Sequence, residues 1–337
     1  MWRLSKPWPT AGVLACLPEA PRARYDCPPG PLGNSPPAEP LDASPGEPNP
    51  LASTSIRPSV GAIDLVTGER LDALRALLAK DPVQNMLLLA LLEEYGLGKA
   101  GAPPFKFLGV ADGASFKAVL FVGGEGNLLI PAGDPMASGE LARHLAEQGV
   151  KLRSAVGEKF AVDAVVRAFG AIHIVIDRSQ RLCSVSADDM GPFVAPQLRP
   201  AETRDVDELV PLAAAAVKES LELDPLATEG ELFRARVAAR VKAGRTWVMT
   251  HENKVVFKVD MGARSRYGAE LENPYLLPEM RKKGLGTLAL GQVCRQQLSA
   301  IPRLTLRYDE KDPVLSRVCR KVGFIPVRSQ RLVVAEP

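Results

Sequence analysis

The sequence has few of the residues that build metal centres and disulfide frameworks. Its 337 residues include five cysteines and three histidines. The cysteines are scattered, odd in number and contain no CxxC pair, so they indicate neither a zinc site nor a set of disulfides. No metal is expected. A reducing, cytoplasmic compartment is the default expectation for such a chain.

The chain also lacks a long apolar run and a strong excess of one charge. The longest apolar run, residues 86–92, is far shorter than the roughly 20 residues that span a bilayer, so it predicts a buried helix and no membrane partner. Forty-two basic residues against 39 acidic ones leave a formal charge of +3. A dedicated nucleic-acid-binding protein has a more concentrated basic excess, so no nucleic-acid partner is expected.

The distribution of proline divides the chain into a tail and a globular part. Residues 1–58 hold 14 of the 30 prolines with few aliphatic residues between them. Such a segment cannot offset its ordering entropy by burial, so we predict that it is disordered. An apolar stretch ending at Cys16 is weakly similar to a lipoprotein cleavage site, but Pro7 and Pro9 interrupt it, and no export signal is predicted. The rest is long enough for two domains, predicted at 59–190 and 196–337.

The first predicted domain alternates between helix and strand patterns. Leucines at helical spacing in "RLDALRALLAKDP" and the run 86–92 predict two helices, and "FKFLGVAD", "SFKAVLFVGG" and "GNLLIPAGD" predict strands. Helices at about 137–147 and 158–168 and a strand "AIHIVID" follow. His173 in that strand is interpreted as an ordinary strand residue, because no nucleophile or carboxylate constellation accompanies it.

The second predicted domain begins with a short strand at Leu198 and a helix for which Thr203 is the predicted cap. Two apolar runs around a polar turn at 251–254 predict a β-hairpin. A strand around 275–277, a glycine loop and an amphipathic helix follow. The strand "RLTLRY", the helix "PVLSRVCRKVG" and two strands, "FIPV" and "RLVVA", complete the chain.

The glycine loop combines three consecutive cations with two glycines, in the order Arg281, Lys282, Lys283, Gly284, Leu285, Gly286. Exposed amides at a helix start, and glycines that let a ligand approach the backbone, make an anion site. The loop therefore predicts a phosphate-bearing ligand.

Two other interpretations of this loop are open from the residues alone. A basic stretch with glycine is often only a solvated turn. The six residues from Gly284 also match GxGxxA, with Asp309 about 20 residues further on, as in dinucleotide-binding sites. In those sites the first glycine directly follows its strand, whereas six residues separate it from Leu277 here. A Walker-type phosphate loop is excluded, because this loop does not end in the Gly-Lys-Ser/Thr of that motif.

The segment "PYLLPEMRKKGLGTLAL" resembles motif A of the GNAT superfamily of N-acetyltransferases, with Arg281, Gly284 and Gly286 at the defining positions. Downstream, "DPVLSRVCRKVGFIPV" is similar to a second segment of that family. The resemblance covers about residues 196–335, and residues 60–185 are similar to a degenerate copy without the glycine loop, as in tandem GNAT proteins. It implies an α/β (α+β) fold of two GNAT-like domains, each a mixed, mostly antiparallel central sheet flanked by helices.

The resemblance further implies acetyl transfer from acetyl-CoA to an amine acceptor, which can be a small molecule or a peptide or protein amine. The loop amides would hold the pyrophosphate, the flanking cations would supply charge, and the strand before the loop would bond the pantetheine. Asp312 stands where the family usually has an asparagine that meets the cofactor. The implied cofactor-binding residues are Tyr275, Leu276, Leu277, Arg281, Lys282, Lys283, Gly284, Leu285, Gly286, Thr287 and Asp312.

Three residues are candidates for the chemistry itself. The resemblance implies that Glu270, eleven residues before Arg281 where some family members carry a catalytic glutamate, is the first candidate base and Glu272 the second, although both could be surface carboxylates. Cys319 occupies the position of the tyrosine that commonly protonates the leaving thiolate in the family, and a thiol can also donate a proton. Buried cysteine is alternatively a core residue. A non-catalytic acyl-CoA-binding regulatory protein is the competing hypothesis. The sequence makes no prediction of oligomeric state.

Overall fold

The computed structural model describes residues 62–97, 105–131, 133–195 and 197–336. The proline-rich segment 1–58 lies outside these residues. The first half of the described chain contains the elements β1 (Ile63–Leu65), α1 (Leu71–Leu78), α2 (Met86–Tyr95), β2 (Lys106–Asp112), β3 (Ser115–Val122), β4 (Asn127–Ile130), α3 (Pro135–Glu147), β5 (Ser154–Glu158), α4 (Lys159–Ala168) and β6 (Ile174–Val185).

The second half repeats this order of elements, and in both halves two helices follow the first strand. Its elements are β7 (Leu198–Pro200), α5 (Val206–Leu221), α6 (Pro225–Lys242), β8 (Thr246–His251), β9 (Lys254–Ser265), β10 (Gly268–Leu276), α7 (Leu285–Leu298), β11 (Leu304–Asp309), α8 (Pro313–Val322) and β12 (Ile325–Ala335).

The twelve strands of the described residues form one sheet, in the order β1-β2-β3-β4-β5-β12-β6-β11-β10-β9-β8-β7. Only β4–β5 and β10–β11 pair in parallel, and every other neighbouring pair in the described sheet is antiparallel. The mixed, mostly antiparallel sheet flanked by helices that the sequence predicts is therefore confirmed. A doubly wound parallel sheet, which a dinucleotide-binding fold would require, is not present in the described chain.

The two halves exchange their last strands. Strand β6, which ends the first half, pairs with β11 of the second half, and β12, which ends the chain, pairs with β5 of the first half. The two exchanged strands also pair with each other along most of their length. Each half thus completes the sheet of the other. The predicted division into domains at 59–190 and 196–337 stays a prediction.

Apolar side chains cover both faces of the sheet because alternate strand residues point to opposite faces. On one face, a single core joins α1, α2, α5 and α6 to the sheet. On the other face, α3 and α4 pack over the first half, and α7 and α8 pack over the second. Leu332 of β12 belongs to the first core and its neighbour Val333 to the opposite one, as the alternation requires.

Helix α2 connects the two halves. Its first seven residues are all buried, which confirms the prediction of a buried helix, and each leucine contributes roughly 2 kcal/mol through burial. At its end, the carboxylate of Glu93 accepts from the amide of Arg266 at 3.1 Å, and Glu94 pairs with Arg245 at 2.5 Å. The helix thereby packs against β9 and β10 and closes one face of the second half.

Three helices begin with the same dipeptide, Asp-Pro. Asp134, Asp224 and Asp312 are the N-caps of α3, α6 and α8, and each side chain accepts a hydrogen bond from an amide of the first turn. Proline fits the next position because its missing N–H would have no intrahelical partner there. The pair is therefore a local helix-start signal in this chain.

Several sequence-based expectations about elements were wrong. Thr203 does not cap α5: it lies in a short 3-10 turn, where Glu202 and Asp205 form a reciprocal capping box. The two predicted terminal strands are one strand, β12. Helix α6 and strand β5 were not predicted. The backbone of α6 is non-helical at Glu229, and this kink interrupts the periodicity that identifies a helix.

Candidate functional site

The glycine loop lies between β10 and α7, as predicted. Lys282 and Gly284 both adopt left-handed backbone conformations, with φ of 65° and 79°. Glycine is the residue that reaches this region without strain. The first amides to bond back are those of Thr287 and Leu288, which donate to the carbonyl of Gly284 at 3.1 and 3.2 Å. The preceding amides at the head of the helix have no intrahelical acceptor and are therefore available to bind an anion.

The three cations of the loop differ in their surroundings. Lys282 and Lys283 are exposed. Arg281 is not free: it bonds the carboxylate of Glu219 on α5 with both terminal nitrogens, at 2.9 and 2.7 Å, and its Nε donates to the carbonyl of Leu276 at 2.9 Å. Its guanidinium also lies 5.2 Å from the ring centroid of Tyr275. Arg281 therefore braces the loop, and the two lysines have no ion-pair partner among the described residues.

Next to the loop, β10 and β11 part. Their parallel pairing ends at Leu271 opposite Leu306, although both strands continue for several residues. A bulge between Glu272 and Tyr275 shifts the register of β10 against β9, and Asn273 within it has a φ of 47°. Beyond Leu271 and Leu306 the described residues of the two strands form no further pairs, and we call the place where the pairing ends the wedge. The segment 275–277, predicted to bond a pantetheine chain, forms one side of that wedge.

The other members of the predicted cofactor set lie around the same opening. Leu285, Gly286 and Thr287 form the first turn of α7. Asp312 instead uses its carboxylate to cap α8, where Oδ1 accepts from the amides of Val314 and Leu315 at 2.9 Å each. Contact between Asp312 and a cofactor stays a prediction.

Glu270 lies in the interior, one residue before the strands part. It is 5% exposed, so it is not a surface carboxylate. Its Oε1 accepts from Nη1 of Arg307 on β11 at 2.6 Å, whereas Oε2 is buried and has no hydrogen-bond partner among the described residues. Burial raises the pKa of Glu270 to about 7; Arg307 opposes this shift and the nearby Glu272 adds to it.

Glu272 is also buried, at 7% exposure, and belongs to an ionic network. Arg240 of α6 lies 3.3 Å from its Oε2 and 3.2 Å from the carboxylate of Asp260 on β9. Lys258 pairs with the same Asp260, and Thr246 donates to it at 2.8 Å. Although burial raises the pKa of Asp260, Lys258 and Arg240 outweigh burial, and its pKa is lowered.

Cys319 lies in the core between the sheet and helices α7 and α8, on the face opposite to α5 and α6. Its side chain belongs to the same cluster as Cys183, Cys294 and Tyr308 and is 1% exposed. Burial raises the pKa of the Cys319 thiol well above its usual range. The hydroxyl of Tyr308, on β11 two residues beyond the last pair with β10, lies 3.4 Å from the hydroxyl of Ser316 on α8. Burial also raises the pKa of Tyr308.

Sequence reasoning missed the charged partners of the candidate bases. Arg240, Lys258, Asp260 and Arg307 come from α6, β9 and β11 and meet only in the folded sheet. One signal was present: Lys258 and Asp260 alternate with Phe257, Val259 and Met261 in "VVFKVDMG", and charges two residues apart in an apolar strand point to one buried face. In the described chain no group of three or more His, Cys, Asp or Glu side chains is arranged to hold a metal. No helix there is long and apolar enough to cross a bilayer.

Comparisons with known proteins find similarity of fold only. No protein-family model matches the chain, and no curated protein matches it in sequence. The solved structure of a Drosophila protein is 14% identical to this chain, with a TM-score of 0.57. The match covers 81% of this chain and 98% of the Drosophila chain. A GNAT-family acetyltransferase from Colwellia psychrerythraea is 10% identical (TM-score 0.49, 81% and 99% covered). A tandem GNAT protein from the clavulanic acid biosynthesis pathway is 14% identical (TM-score 0.47, 82% and 99% covered).

Proposed function

We propose that this chain, which has a GNAT-type fold, is an N-acetyltransferase that uses acetyl-CoA and transfers the acetyl group to an amine by direct attack on the thioester. The observation that supports this most is the juxtaposition of two features: uncapped amides at the head of α7, and the wedge where β10 and β11 part. The first can hold a pyrophosphate. The second leaves the edges of both strands open to the pantetheine chain, which follows the pyrophosphate in CoA.

The residues around the wedge fit the chemical parts of acetyl-CoA. The amides of residues 282–286 and the two exposed lysines would hold the pyrophosphate, with Arg281 bracing the loop through Glu219. Acetyl-CoA supplies an acetyl group activated as a thioester. The backbone of β10 beyond the bulge would orient the pantetheine and direct an N–H to the thioester oxygen, where negative charge develops during attack.

Glu270 is the base that the geometry favours. It lies beside the point where the strands part, one of its oxygens has no partner among the described residues, and its pKa of about 7 suits proton transfer near neutral pH. Glu272 remains the second candidate, although its carboxylate is already bonded by Arg240. Glu270 Oε2 would accept the proton of the attacking amine, directly or through one water.

The predicted donor of a proton to the leaving thiolate is Cys319. Burial raises the pKa of this thiol, which keeps it protonated at neutral pH but makes it a weaker proton donor, and burial also separates it from solvent. The phenol of Tyr308 is a second candidate for the same step, because it lies on the strand that borders the wedge. Its hydrogen bond to Ser316 fixes the hydroxyl at the start of α8.

Only the second half is proposed to bind the pyrophosphate. At the corresponding helix start in the first half, α3, the carboxylate of Asp134 accepts from the amide of Met136 at 2.9 Å. This bond occupies a donor that a phosphate would need, and it places a negative charge at the helix head. The first half would instead supply α2 as a cover over β9 and β10.

The second candidate function is a regulatory protein that binds acyl-CoA without turnover. The burial of Cys319 and the use of Asp312 as a helix cap favour it. Calorimetric titration with CoA and acetyl-CoA, combined with thiol release in the presence of an amine panel, separates the two. We expect binding together with thiol release that depends on an amine. Binding without release would support the regulatory protein, and the absence of binding would contradict both.

A further inference from the structure

A row of polar side chains crosses the middle of the sheet, on the face that α2 covers. It runs over four neighbouring strands, through Gln330 on β12, Gln180 on β6, Arg307 on β11 and Glu270 on β10. Gln330 and Gln180 are strand partners, and the registers of the other strands place Arg307 and Glu270 on the same face. The first two and Glu270 are buried, and the side chain of Arg307 is 13% exposed. The row therefore lies in the interior, where polar atoms need hydrogen-bond partners.

Each member of this row has a polar atom that no protein group satisfies. Oε1 of Gln330, Oε1 of Gln180, Nε of Arg307 and Oε2 of Glu270 are buried and have no hydrogen-bond partner among the described residues. Three of these atoms are oxygens, and the fourth is a nitrogen that carries a hydrogen. Water both donates and accepts, and it is the usual partner of buried polar groups that the protein itself leaves unpaired. The row therefore indicates a place for bound water.

A small cavity beneath α2 adjoins this row. It has room for about one water molecule. Its polar side chains are those of Arg307 and Gln84, and the rest of its lining consists of apolar residues and one glycine of the first half. Gln84, which lies just before α2, is fixed there: its Oε1 accepts from Nε2 of Gln330 at 2.8 Å, and its amide donates to Asp81 at 3.1 Å. A water in this cavity would have Nε of Arg307 and the Gln84 side chain as polar partners.

We propose that the first half positions the candidate base: a water bound in this cavity links Gln84 to Nε of Arg307, and Arg307 in turn holds Glu270. The inference rests on the proposed N-acetyltransferase function for the role of Glu270 as the base. Nε and Nη1 belong to one planar guanidinium. Fixing Nε on the side of α2 therefore fixes the direction in which Nη1 donates to Oε1 of Glu270, at 2.6 Å. Arg307 and Gln84 are positioning residues, since both act through Glu270.

The charges around Glu270 give Arg307 its influence. Burial has the largest effect on the pKa of Glu270 and raises it, whereas Arg307 lowers the pKa and Glu272 raises it. On β9, Lys258 and Asp260 pair with each other. Helices α2 and α5 pack against β10, and their charged residues and the C-cap of α5 bond elsewhere: Glu93 to the amide of Arg266, Glu94 to Arg245, Asp207 to Arg234, Glu208 to the amide of Val255, Lys218 to Asp224, Glu219 to Arg281 and Glu222 to Arg178. Arg307 is therefore the cation that opposes protonation of this base.

The ionisation of Glu270 tests the proposal without requiring catalysis. In protein with ¹³C at the glutamate carboxyl carbons, the resonance that is missing from Glu270→Gln is followed from pH 4 to pH 10. Arg307→Gln should raise the pKa of Glu270 by about 1–3 units because it removes the opposing charge, and Arg307→Lys should raise it less. Gln84→Leu removes the polar partner of the water and should raise the pKa by about half a unit. Leu91→Met, a buried change on α2 outside the cavity, should leave it unchanged.

The role of the first half is overturned if Gln84→Leu leaves the titration of Glu270 at its parental pH, or if Leu91→Met moves it equally. The role of Arg307 is overturned if Arg307→Gln does not raise the pKa. If Arg307→Gln does not fold, Arg307→Lys and Gln84→Leu decide. A crystal structure should show a water bonded to Nε of Arg307, and a protein group in that place would overturn the water link. Failure of the proposed function has a different signature: the shifts occur as expected, but no acetyl group is transferred from acetyl-CoA.

Discussion

Nη1 of Arg307 lies 2.6 Å from Oε1 of Glu270 in the interior of the sheet, while Oε2 of the same carboxylate is buried without a partner among the described residues. The pair joins β11 to β10 immediately before these strands part. Because Arg307 holds one oxygen and burial disfavours the charge, the carboxyl group is positioned but only half ionised near neutral pH.

This pair predicts the pH dependence of the proposed reaction. A base must be deprotonated to act, so kcat/KM should rise as pH increases through about 7 and level off above it. Glu270→Gln should lower kcat by about 10²- to 10⁴-fold and remove that limb of the profile. Initial rates from pH 5.5 to 9 measure both effects.

Glu272→Gln is the matched control for Glu270→Gln, because it makes the same change two residues along the same face of β10. It should keep the titration but move it to a lower pH, because the negative charge of Glu272 adds to the raised pKa of Glu270. A profile that loses this titration in Glu272→Gln but keeps it in Glu270→Gln would assign the base to Glu272.

The same carboxyl group predicts how stability changes with pH. Its pKa is raised in the folded state from 4.5 to about 7, so the folded protein holds this proton more tightly than the unfolded chain. The resulting stabilisation is complete below pH 4.5 and is lost as pH rises through 7, and it amounts to about 3 kcal/mol at most. Urea unfolding should show a lower free energy of unfolding at pH 8 than at pH 5 in the parent protein. In Glu270→Gln this decrease should be smaller, because the contribution of the Glu270 carboxyl group is absent.

Much of the glycine loop could be predicted because its conformation depends on neighbouring residues. Gly284 permits the left-handed turn, and the apolar stripe of Leu290, Val293, Cys294 and Leu298 is buried as its spacing predicts. The buried run at the start of α2 was likewise identified from the sequence alone, because seven apolar residues in succession have no stable place on a surface.

The environment of the candidate bases depends on long-range pairing and could not be predicted. Arg307 meets Glu270 only because β11 lies beside β10, and the exchange of β6 and β12 between the halves leaves no local signal. The burial of Cys319 follows from the packing of α8 on the sheet. Residue types thus indicated the chemistry, whereas charge partners and exposure required the fold.

The two exposed lysines of the loop should contribute to CoA affinity through charge. Lys282→Ala with Lys283→Ala should weaken CoA binding by roughly 3- to 30-fold at low salt, since each exposed charge pair is worth about 1 kcal/mol or less. The loss should shrink at 0.5 M salt because of screening. The pair Lys80→Ala with Lys151→Ala removes two exposed charges from the first half and should leave affinity unchanged. An equal loss in both double variants would contradict a local role for the loop.

The identity of the acid can be tested with two conservative variants of neighbouring side chains. Cys319→Ala removes a thiol that is 1% exposed, and Tyr308→Phe removes only the hydroxyl that bonds Ser316. If the predicted acid is Cys319, Cys319→Ala should slow thiol release by at least tenfold while Tyr308→Phe retains the parental rate. The reverse pattern assigns the proton to Tyr308, whose hydroxyl belongs to the strand at the edge of the wedge. Acetyl-CoA affinity should change little in either variant, which separates a chemical effect from lost binding. Parental rates in both variants would mean that the thiolate departs without a protein acid, as a good leaving group can.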